Sequence, residues 1–327
     1  MSTAASTLFG TAEALSALSP FGRHVRAGLL RPGQKRLSPE YFYDDVGSAL
    51  FEAITFLPEY GLTRADERLL TAHAEEIAAW VRWPSVVIEL GSGSGRKVGR
   101  LLSAIRARAP ALRYFPVDVS ESALIRCERE LGALCSVTPL RRPFLEGVRE
   151  ALARRRPGQR VLALLVGSTI GNFDPQEAGA LLTALRNELE PGDHLLLGAD
   201  LVKDVDRLLL AYDDPAGVTA AFNRNLLCRM NRELGANFNL SRWKHTVRYC
   251  SPERRVEMHL KSLADQRVFI PGAACTLDFR RGETIWTESS HKYTVERLDA
   301  LAASSGFTPV QRWMDVEWPF AECIWRA

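Results

Sequence analysis

What the chain has little of sets the first limits. Six cysteines (127, 135, 228, 250, 275 and 323) are spread over 327 residues, with no C-x-x-C pair and no ligand-like spacing to the six histidines. Neither a disulfide framework nor a metal site is expected, and reduced thiols point to a cytoplasmic setting. No apolar run approaches the roughly eighteen residues that cross a membrane. No Lys or Arg precedes Arg23, so the charged start of a signal peptide is missing. Residues 1–18 read as a frayed tail running into a short helix. Excess charge is missing too: 42 basic and 39 acidic residues leave +3, too little and too dispersed to argue for nucleic acid. The densest basic run, Arg154-Arg155-Arg156, stands before Pro-Gly and reads as a solvated helix end. Hydrophobic residues at 46% and charged residues at 25% give a globular balance, enough for one large domain or two ordinary ones.

What is present is organised around residues 86–97. Val86-Val-Ile-Glu-Leu90 reads as a buried parallel strand, and Gly91, Gly93 and Gly95 follow at alternate positions. An amphipathic run over 98–105 predicts a helix. Strand, glycine turn and helix form the first unit of a nucleotide-binding sheet, where the backbone approaches a ligand and a helix N-terminus offers free N–H groups. Arg96 occupies the sixth position, where the dinucleotide fingerprint needs glycine, and the Lys-Ser/Thr of a phosphate loop is absent. Glu89-Leu-Gly-Ser-Gly-Ser-Gly95 resembles instead the acidic-x-Gly-x-Gly-x-Gly loop of class I S-adenosylmethionine (SAM) methyltransferases. One βα unit later, Tyr114-Phe-Pro-Val-Asp118 ends in an acid placed to grip ribose hydroxyls. Asp118 also has a plainer reading as a helix cap, shared with Ser120.

The chain before this strand is irregular over 20–40, with Pro20, Gly22, Gly28, Pro32, Gly33 and Pro39. A helix is expected over 49–55 and another over 64–81, capped by Thr63. Tyr41, Phe42, Tyr43, Phe51, Phe56 and Tyr60 are many aromatics for a solvent loop. They read either as packing over the sheet or as a lid with substrate contacts. From 64 to 200 strands near 86–90, 113–119, 161–166 and 194–199 alternate with helices, an open and mostly parallel sheet. Ligands in such sheets bind outside the C-terminal strand ends, so Gly167-Ser-Thr-Ile-Gly-Asn172 is the third candidate stretch. Asn172 is either a ligand contact or the cap of the helix beginning near Pro175. Enzymes that methylate base amines typically carry Asn/Asp-Pro-Pro-aromatic here, and this chain does not. After 200 the rhythm breaks into helices over 203–211 and 217–234 and strands over 246–249, 255–260, 266–270 and 284–287, an inserted α+β module. A helix over 294–304 and strands over 308–315 and 322–325 return to the sheet.

These motifs together resemble the histidine-specific SAM-dependent methyltransferase family, from about residue 20 to 327. They are Tyr41-Phe-Tyr-Asp-Asp-x-Gly-Ser48, Leu57-Pro-Glu-Tyr60 with Thr63-Arg64, Glu89-Leu-Gly-Ser-Gly93, Gly167-Ser-Thr-Ile-Gly-Asn172, Ala211-Tyr-Asp-Asp214 with Ala221-Phe-Asn-x-Asn225, Glu257-Met258, and Thr287-Glu-x-Ser290. The resemblance implies an α/β fold: a class I SAM-methyltransferase (Rossmann-like) domain interrupted by an α+β substrate-binding module. The expected division is a tail over 1–19, part of the substrate module over 20–63, the SAM core over 64–202, the insertion over 203–291, and the return over 292–327.

The resemblance also implies activity and roles. The expected reaction is SAM-dependent methylation of the α-amine of L-histidine, up to the trimethylated product hercynine, as the first step of ergothioneine biosynthesis. Glu89, Gly91, Ser92, Gly93, Lys97, Asp118 and Phe144 fall on the cofactor side, with Lys97 facing the cofactor carboxylate. Asn172 and Tyr212 match the residues that hold the substrate carboxylate. Tyr43, Gly167 and Thr169 lie around the amine, Tyr43 orienting it. Tyr60, Glu288 and Ser290 match those that hold the imidazole, and Phe51, Phe222 and Met258 the pocket walls. Glu288 and Ser290 are two apart, so on a strand they share a side. Without the other motifs they read as an exposed edge-strand pair. A monomer acting on a small amino acid, with neither nucleic acid nor membrane as partner, is expected. Three departures stand out. Gly61 stands where members often have a second aromatic and loosens one pocket wall, Arg142-Pro-Phe144 lies where an Asp-Phe pair often touches the adenine, and the loop tail Gly93-Ser-Gly-Arg96 is not the commonest form. The alternatives are α-N-methylation of another amino acid or small amine, a nucleic-acid methyltransferase, and a non-catalytic SAM-binding partner.

Overall fold

The computed structural model of the protein describes residues 17–80 and 84–327. Of the expected tail over 1–19, residues 1–16 lie outside the described residues. In chain order the strands are β1 (Lys35–Arg36), β2 (Pro84–Leu90), β3 (Arg113–Asp118), β4 (Ser136–Val137), β5 (Leu140–Arg141), β6 (Arg160–Leu165), β7 (His194–Asp200), β8 (Trp243–Cys250), β9 (Arg255–Ser262), β10 (Gln266–Ile270), β11 (Cys275–Phe279), β12 (Thr284–His291), β13 (Thr308–Asp315) and β14 (Phe320–Arg326). They fall into two compact units. The first comprises Met1–Ile54, Leu208–Cys250 and Val256–Ser289; the second comprises Thr55–Arg207, Ser251–Arg255 and Ser290–Ala327.

The second unit is built on one sheet of order β13-β14-β7-β6-β2-β3-β4, with β5 also paired to β3. Its strands are parallel except β14, which runs antiparallel to both neighbours. β2 is central, and the chain order reverses across it, β3 and β4 to one side and β6 and β7 to the other. That reversal opens a crevice at the strand ends, the place where such sheets take ligands. Parallel strands are covered on both faces, so they need continuous apolar runs. Val86 to Ile88, Leu162 to Leu165 and Leu195 to Leu197 are all fully buried. Ile88, Ala163 and Leu197 pack in one core with Val148, Leu182, Leu185 and Leu298, which lie on the helices Phe144–Leu152, Pro175–Glu188 and Val295–Ser304.

Two expectations for this unit are corrected. The run 64–81 is broken into helices Gly61–Ala72 and Ala74–Trp80. Thr63 lies inside the first of these and does not cap it, because the helix begins directly after Tyr60. The basic run after Leu152 is not simply solvated. Arg155 pairs through both terminal nitrogens with Asp193, at 2.7 and 3.1 Å, and Asp193 is fully buried. Asp193 also accepts the backbone N–H groups of Val161 and Glu190 at 3.0 Å, so the carboxylate has the partners that burial of a charge requires.

The first unit carries a four-stranded sheet of order β1-β12-β9-β8, a β10–β11 hairpin and the helix Val218–Leu234. Its start is not irregular: Pro20–Leu30 is a helix. Ser19 accepts the N–H of Gly22 at 3.0 Å, and Pro20 takes the first helical position, where its missing N–H costs nothing. Gly22 is there for close approach: a Cβ on it would stand 2.0 Å from the carbonyl oxygen of Gly272. The hairpin strand Cys275–Phe279 was not anticipated, although Cys275, Leu277 and Phe279 alternate inward. Among the described residues no helix is long and apolar enough to cross a membrane, and none of the six cysteines is in a disulfide.

Candidate active site

The glycine loop leaves β2 with Gly91, Gly93 and Gly95 at φ of +75°, +54° and +70°. These values lie in the left-handed region open to glycine. At Gly95 space is short as well, since a Cβ would meet the Cys127 sulfur at 2.6 Å. The loop is pinned from the neighbouring strand. Asp118 accepts the Gly93 N–H through Oδ2 at 3.0 Å and the Ser120 N–H through Oδ1 at 2.9 Å. Burial pushes its carboxyl up, against those backbone donors. Ser120, not Asp118, caps the helix Glu121–Leu131, accepting the Ala123 N–H at 3.3 Å. The plain capping reading of Asp118 therefore fails, and a half-buried carboxylate remains beside the loop.

Three residues predicted separately converge here. A Cβ built on Gly91 lies 3.5 Å from the ring of Phe144 and 3.8 Å from the Thr169 methyl. Arg142, two residues earlier, turns to Glu150 with Nε 3.1 Å from Oε2. Beneath the loop, Lys97 Nζ stands 2.8 Å from Asp66 Oδ2. The same ammonium would be 2.6 Å from a Cβ on Gly167, so a side chain there would have to displace it. Burial works against the charge on Lys97, and Asp66 and Glu89 outweigh it, raising its pKa. Glu89 itself is fully buried and accepts the Tyr114 hydroxyl. Burial lifts its pKa to about 7. On β14, Glu322 is fully buried too, and burial and the nearby Asp66 hold its carboxyl well above the usual range. Neither Asp66 nor Glu322 carried a sequence signal; they reach this place from a helix before β2 and from the last strand.

After β6 the chain turns sharply. Gly167 has φ +73° and Ser168 φ +56°, and Ser168 Oγ is held by the Asp200 N–H at 2.9 Å. Thr169–Asn172 forms a short 3-10 turn. The following helix is capped by Asp174, which forms a reciprocal pair with Glu177. Asn172 is thus not the cap. Tyr60 is buried ahead of its helix. Arg64 clamps the loop leading to it, donating to the carbonyls of Leu57 and Pro58, both at 2.6 Å. Gly61 does not loosen a wall: Trp318 lies against it, 2.3 Å from where a Cβ would stand. Ser290 is buried, and Lys292 Nζ donates to its Oγ at 2.8 Å.

In the first unit Tyr43, Phe51 and Phe222 form one aromatic cluster. Tyr43 meets Phe51 edge-on with centroids 5.7 Å apart, and Phe222 lies 6.0 and 5.9 Å from the two. Asp44 sets the geometry, accepting from Asn225 Nδ2 and the Gly47 N–H at 2.8 Å. That bond ties the Asp44-x-x-Gly47 stretch to Phe222-Asn-x-Asn225. Tyr212 is buried, and its carbonyl is 2.8 Å from His245 Nε2. A carbonyl only accepts, so Nε2 carries the proton and Nδ1 accepts from Asn223 Nδ2 at 2.8 Å. Burial lowers the His245 pKa, keeping the ring neutral. The carbonyl of buried Met258 accepts from Thr287 Oγ1 at 3.0 Å. The Glu288 carbonyl accepts from Trp286 Nε1 at 2.9 Å.

A central strand ending in a left-handed glycine loop, an acid at the end of the next strand and an antiparallel strand inserted at the far side define a class I SAM-dependent methyltransferase. The family model for histidine-specific, SAM-dependent methyltransferases matches residues 21–327, and the chain belongs to that family, as its motifs suggested. It is similar to the histidine N-alpha-methyltransferase of Mycobacterium tuberculosis (strain CDC 1551 / Oshkosh), 42% identical over 302 residues, 90% of each chain. It is also similar to that of Mycolicibacterium smegmatis, 40% identical over 92% of each chain. Ergothioneine biosynthesis protein 1 of Neurospora crassa is 31% identical across 87% of this chain and 33% of its own length.

Proposed function

We propose that the protein methylates the α-amine of L-histidine, up to the trimethylated product hercynine, as the first step of ergothioneine biosynthesis. The carrying observation is the 42% identity to a histidine N-alpha-methyltransferase across nine-tenths of both chains. The cofactor that the family requires fits the residues present. Gly91, Ser92 and Gly93 give a close backbone approach, Asp118 offers a carboxylate for ribose hydroxyls, Phe144 an aromatic face, and Lys97 a cation for a carboxylate. Glu89 would act from below, through Lys97 and Tyr114. When bound, SAM supplies an activated methyl group.

The chain's own residues then have to bind and orient the amine. In this reading Asn172 and Tyr212 hold the substrate carboxylate. Gly167 and Thr169 line the amine, and Tyr43 orients it by its hydroxyl. Tyr60, Glu288 and Ser290 take the imidazole, and Phe51, Phe222 and Met258 wall the pocket. Glu288 suits a ring N–H because a carboxylate only accepts. The amine must lose a proton before each attack, and no side chain is assigned as a dedicated base; solvent takes it. Holding two reactants in line is worth roughly 7–11 kcal/mol of barrier, which is the main contribution asked of the fold. We place the enzyme in the cytoplasm, a reading supported by its six unpaired thiols, and read it as a monomer.

The test is a calorimetric titration of the twenty amino acids with S-adenosylhomocysteine present. Histidine should bind alone, and Glu288→Ala should abolish it. Tighter binding of another amino acid would overturn the substrate. Mass spectrometry at full conversion should show the trimethylated product; a monomethyl product alone would overturn repeated transfer.

A further inference from the structure

Beneath the turn after β6, three fully buried carboxyl groups surround one ammonium. Asp66 comes from the helix Gly61–Ala72, Glu89 from β2, Glu322 from β14, and Lys97 from the 3-10 turn Arg96–Val98. Lys97 Nζ stands 2.8 Å from Asp66 Oδ2. A Cβ on Gly167 would lie 2.6 Å from that nitrogen and 3.8 Å from that oxygen, so the pair packs against the turn itself. Glu322 is opposite Gly198 of β7, and a Cβ there would stand 2.6 Å from its Oε1. Of the four side chains only that of Lys97 reaches solvent: it is 21% exposed, and Asp66 not at all. A ligand arriving from outside therefore meets the lysine first.

Elementary chemistry assigns the charges. Three carboxylates against one ammonium would leave a negative excess out of water, and burial favours neutral carboxyls. Asp66, in contact with the ammonium, is the acid that gains most by staying ionised. Among the described residues no N–H or hydroxyl reaches Asp66 Oδ1 or either oxygen of Glu322. Two neighbouring carboxyl groups bond only through a shared proton. Burial and the Asp66 carboxylate hold Glu322 well above the usual range, so Glu322 keeps that proton. Burial lifts Glu89 to about 7, and its Oε2 accepts the Tyr114 hydroxyl. Asp118, which also acts on Glu89, is engaged by the Gly93 and Ser120 N–H groups. Among the described residues Asp66 takes one of the three protons of Lys97, which leaves the others for an incoming acceptor.

We propose that Asp66 is a positioning residue for the cofactor: it holds the Lys97 ammonium against the turn at Gly167, ready for the carboxylate of the cofactor's amino-acid tail. This rests on the reading above that Lys97 takes that carboxylate. A lysine stem ordered before the ligand arrives has little freedom left to lose on binding. The neutral Glu322 makes the arrangement workable, because a second buried charge beside Asp66 would repel an incoming carboxylate. Without Asp66, the carboxyl left to draw Lys97 at neutral pH is Glu89, inside β2, and the ammonium is pulled inward from the turn.

The probes are S-adenosylhomocysteine and S-adenosyl-3-thiopropylamine, the same molecule without its carboxylate. Both are titrated calorimetrically into the full chain, the weaker one by displacement. The wild type should prefer the carboxylate form about tenfold or more, as charge-assisted hydrogen bonds allow. Asp66→Asn should weaken S-adenosylhomocysteine about tenfold and leave the amine within about twofold, erasing the preference. A loss of structure alone would weaken both ligands together. Lys97→Met should erase the preference too, and adding Asp66→Asn to it should change nothing more. Should Asp66→Asn not fold, Asp66→Glu, which keeps the charge but shifts the ammonium by a methylene, should lower the preference about threefold. A preference lost in Lys97→Met but unchanged in the Asp66 variants overturns the inference alone. A preference that survives Lys97→Met, or is missing from the wild type, overturns the reading of Lys97, and this inference with it.

Discussion

Trp318 lies across Gly61 so closely that a β-carbon there would stand 2.3 Å from Cε3 and 2.6 Å from Cδ2 of the indole. Trp318, from elsewhere in the chain, fills the space that a side chain on Gly61 would need. Gly61→Ala should therefore destabilise the protein by ~1–3 kcal/mol, as overpacking does, although alanine is ordinarily the better helix residue. Thermal denaturation checks this. In the double variant with Trp318→Ala the two costs should be less than additive; simple additivity would show that the contact is not the cause.

Asn172 and Asp174 should separate cleanly. Asp174→Ala removes a helix cap and should cost ~0.5–2 kcal/mol of stability. Asn172→Ala should leave stability nearly unchanged while raising KM for histidine roughly 10- to 100-fold, the value of a hydrogen bond to a charged group. Urea denaturation and steady-state kinetics on both variants decide it. A large stability loss in Asn172→Ala would count against its binding role.

Asp118→Asn keeps an acceptor for the Gly93 N–H but gives up the charge. The variant should fold normally and bind S-adenosylhomocysteine about tenfold or more weakly, since charge-assisted hydrogen bonds are the strong ones. Calorimetry gives the answer. Unchanged affinity would remove Asp118 from the cofactor site.

Glu89 titrates near 7 in the folded chain, raised by burial from 4.5. Between these values the folded state holds a proton that the unfolded state has released. Its contribution is thus complete below about pH 4.5 and is lost as pH rises to about 7, a loss of about 3 kcal/mol. Glu89→Gln stays neutral and keeps an acceptor for Tyr114. Relative to wild type it should gain stability at pH 8 and not at pH 4.5. An equal difference at both pH values would show that Glu89 is not protonated in the fold.

Local chemistry made the glycine-loop half of the candidate site legible. The glycine loop, Asp118 and the turn at Gly167 each sit at the end of an apolar strand, so short stretches announce them. Glycines misled where they serve long-range packing. Gly22 and Gly28 read as breakers around 20–40, yet both lie in a helix, against backbone carbonyls contributed by Gly272 and Arg36. The buried partners were invisible for the same reason. Asp66 meets Lys97 across 31 positions, Trp318 meets Asp200 across 118, and no periodicity encodes such pairs. The family resemblance named Ser290 but not Lys292, two residues on, which a charged side chain in a β-strand context hides as an ordinary surface residue.

The position of β14 has a consequence for biosynthesis. It pairs with β7 on one side and β13 on the other, yet β7 ends at Asp200 and β14 begins at Phe320. Throughout the translation of the intervening chain, the leucine-rich edge of β7 has no partner on that side. An open, apolar edge of this kind is a template for the wrong strand. Yield in a recombinant host should therefore respond to slower synthesis at low temperature and to co-expressed chaperones more than to any change at the glycine loop.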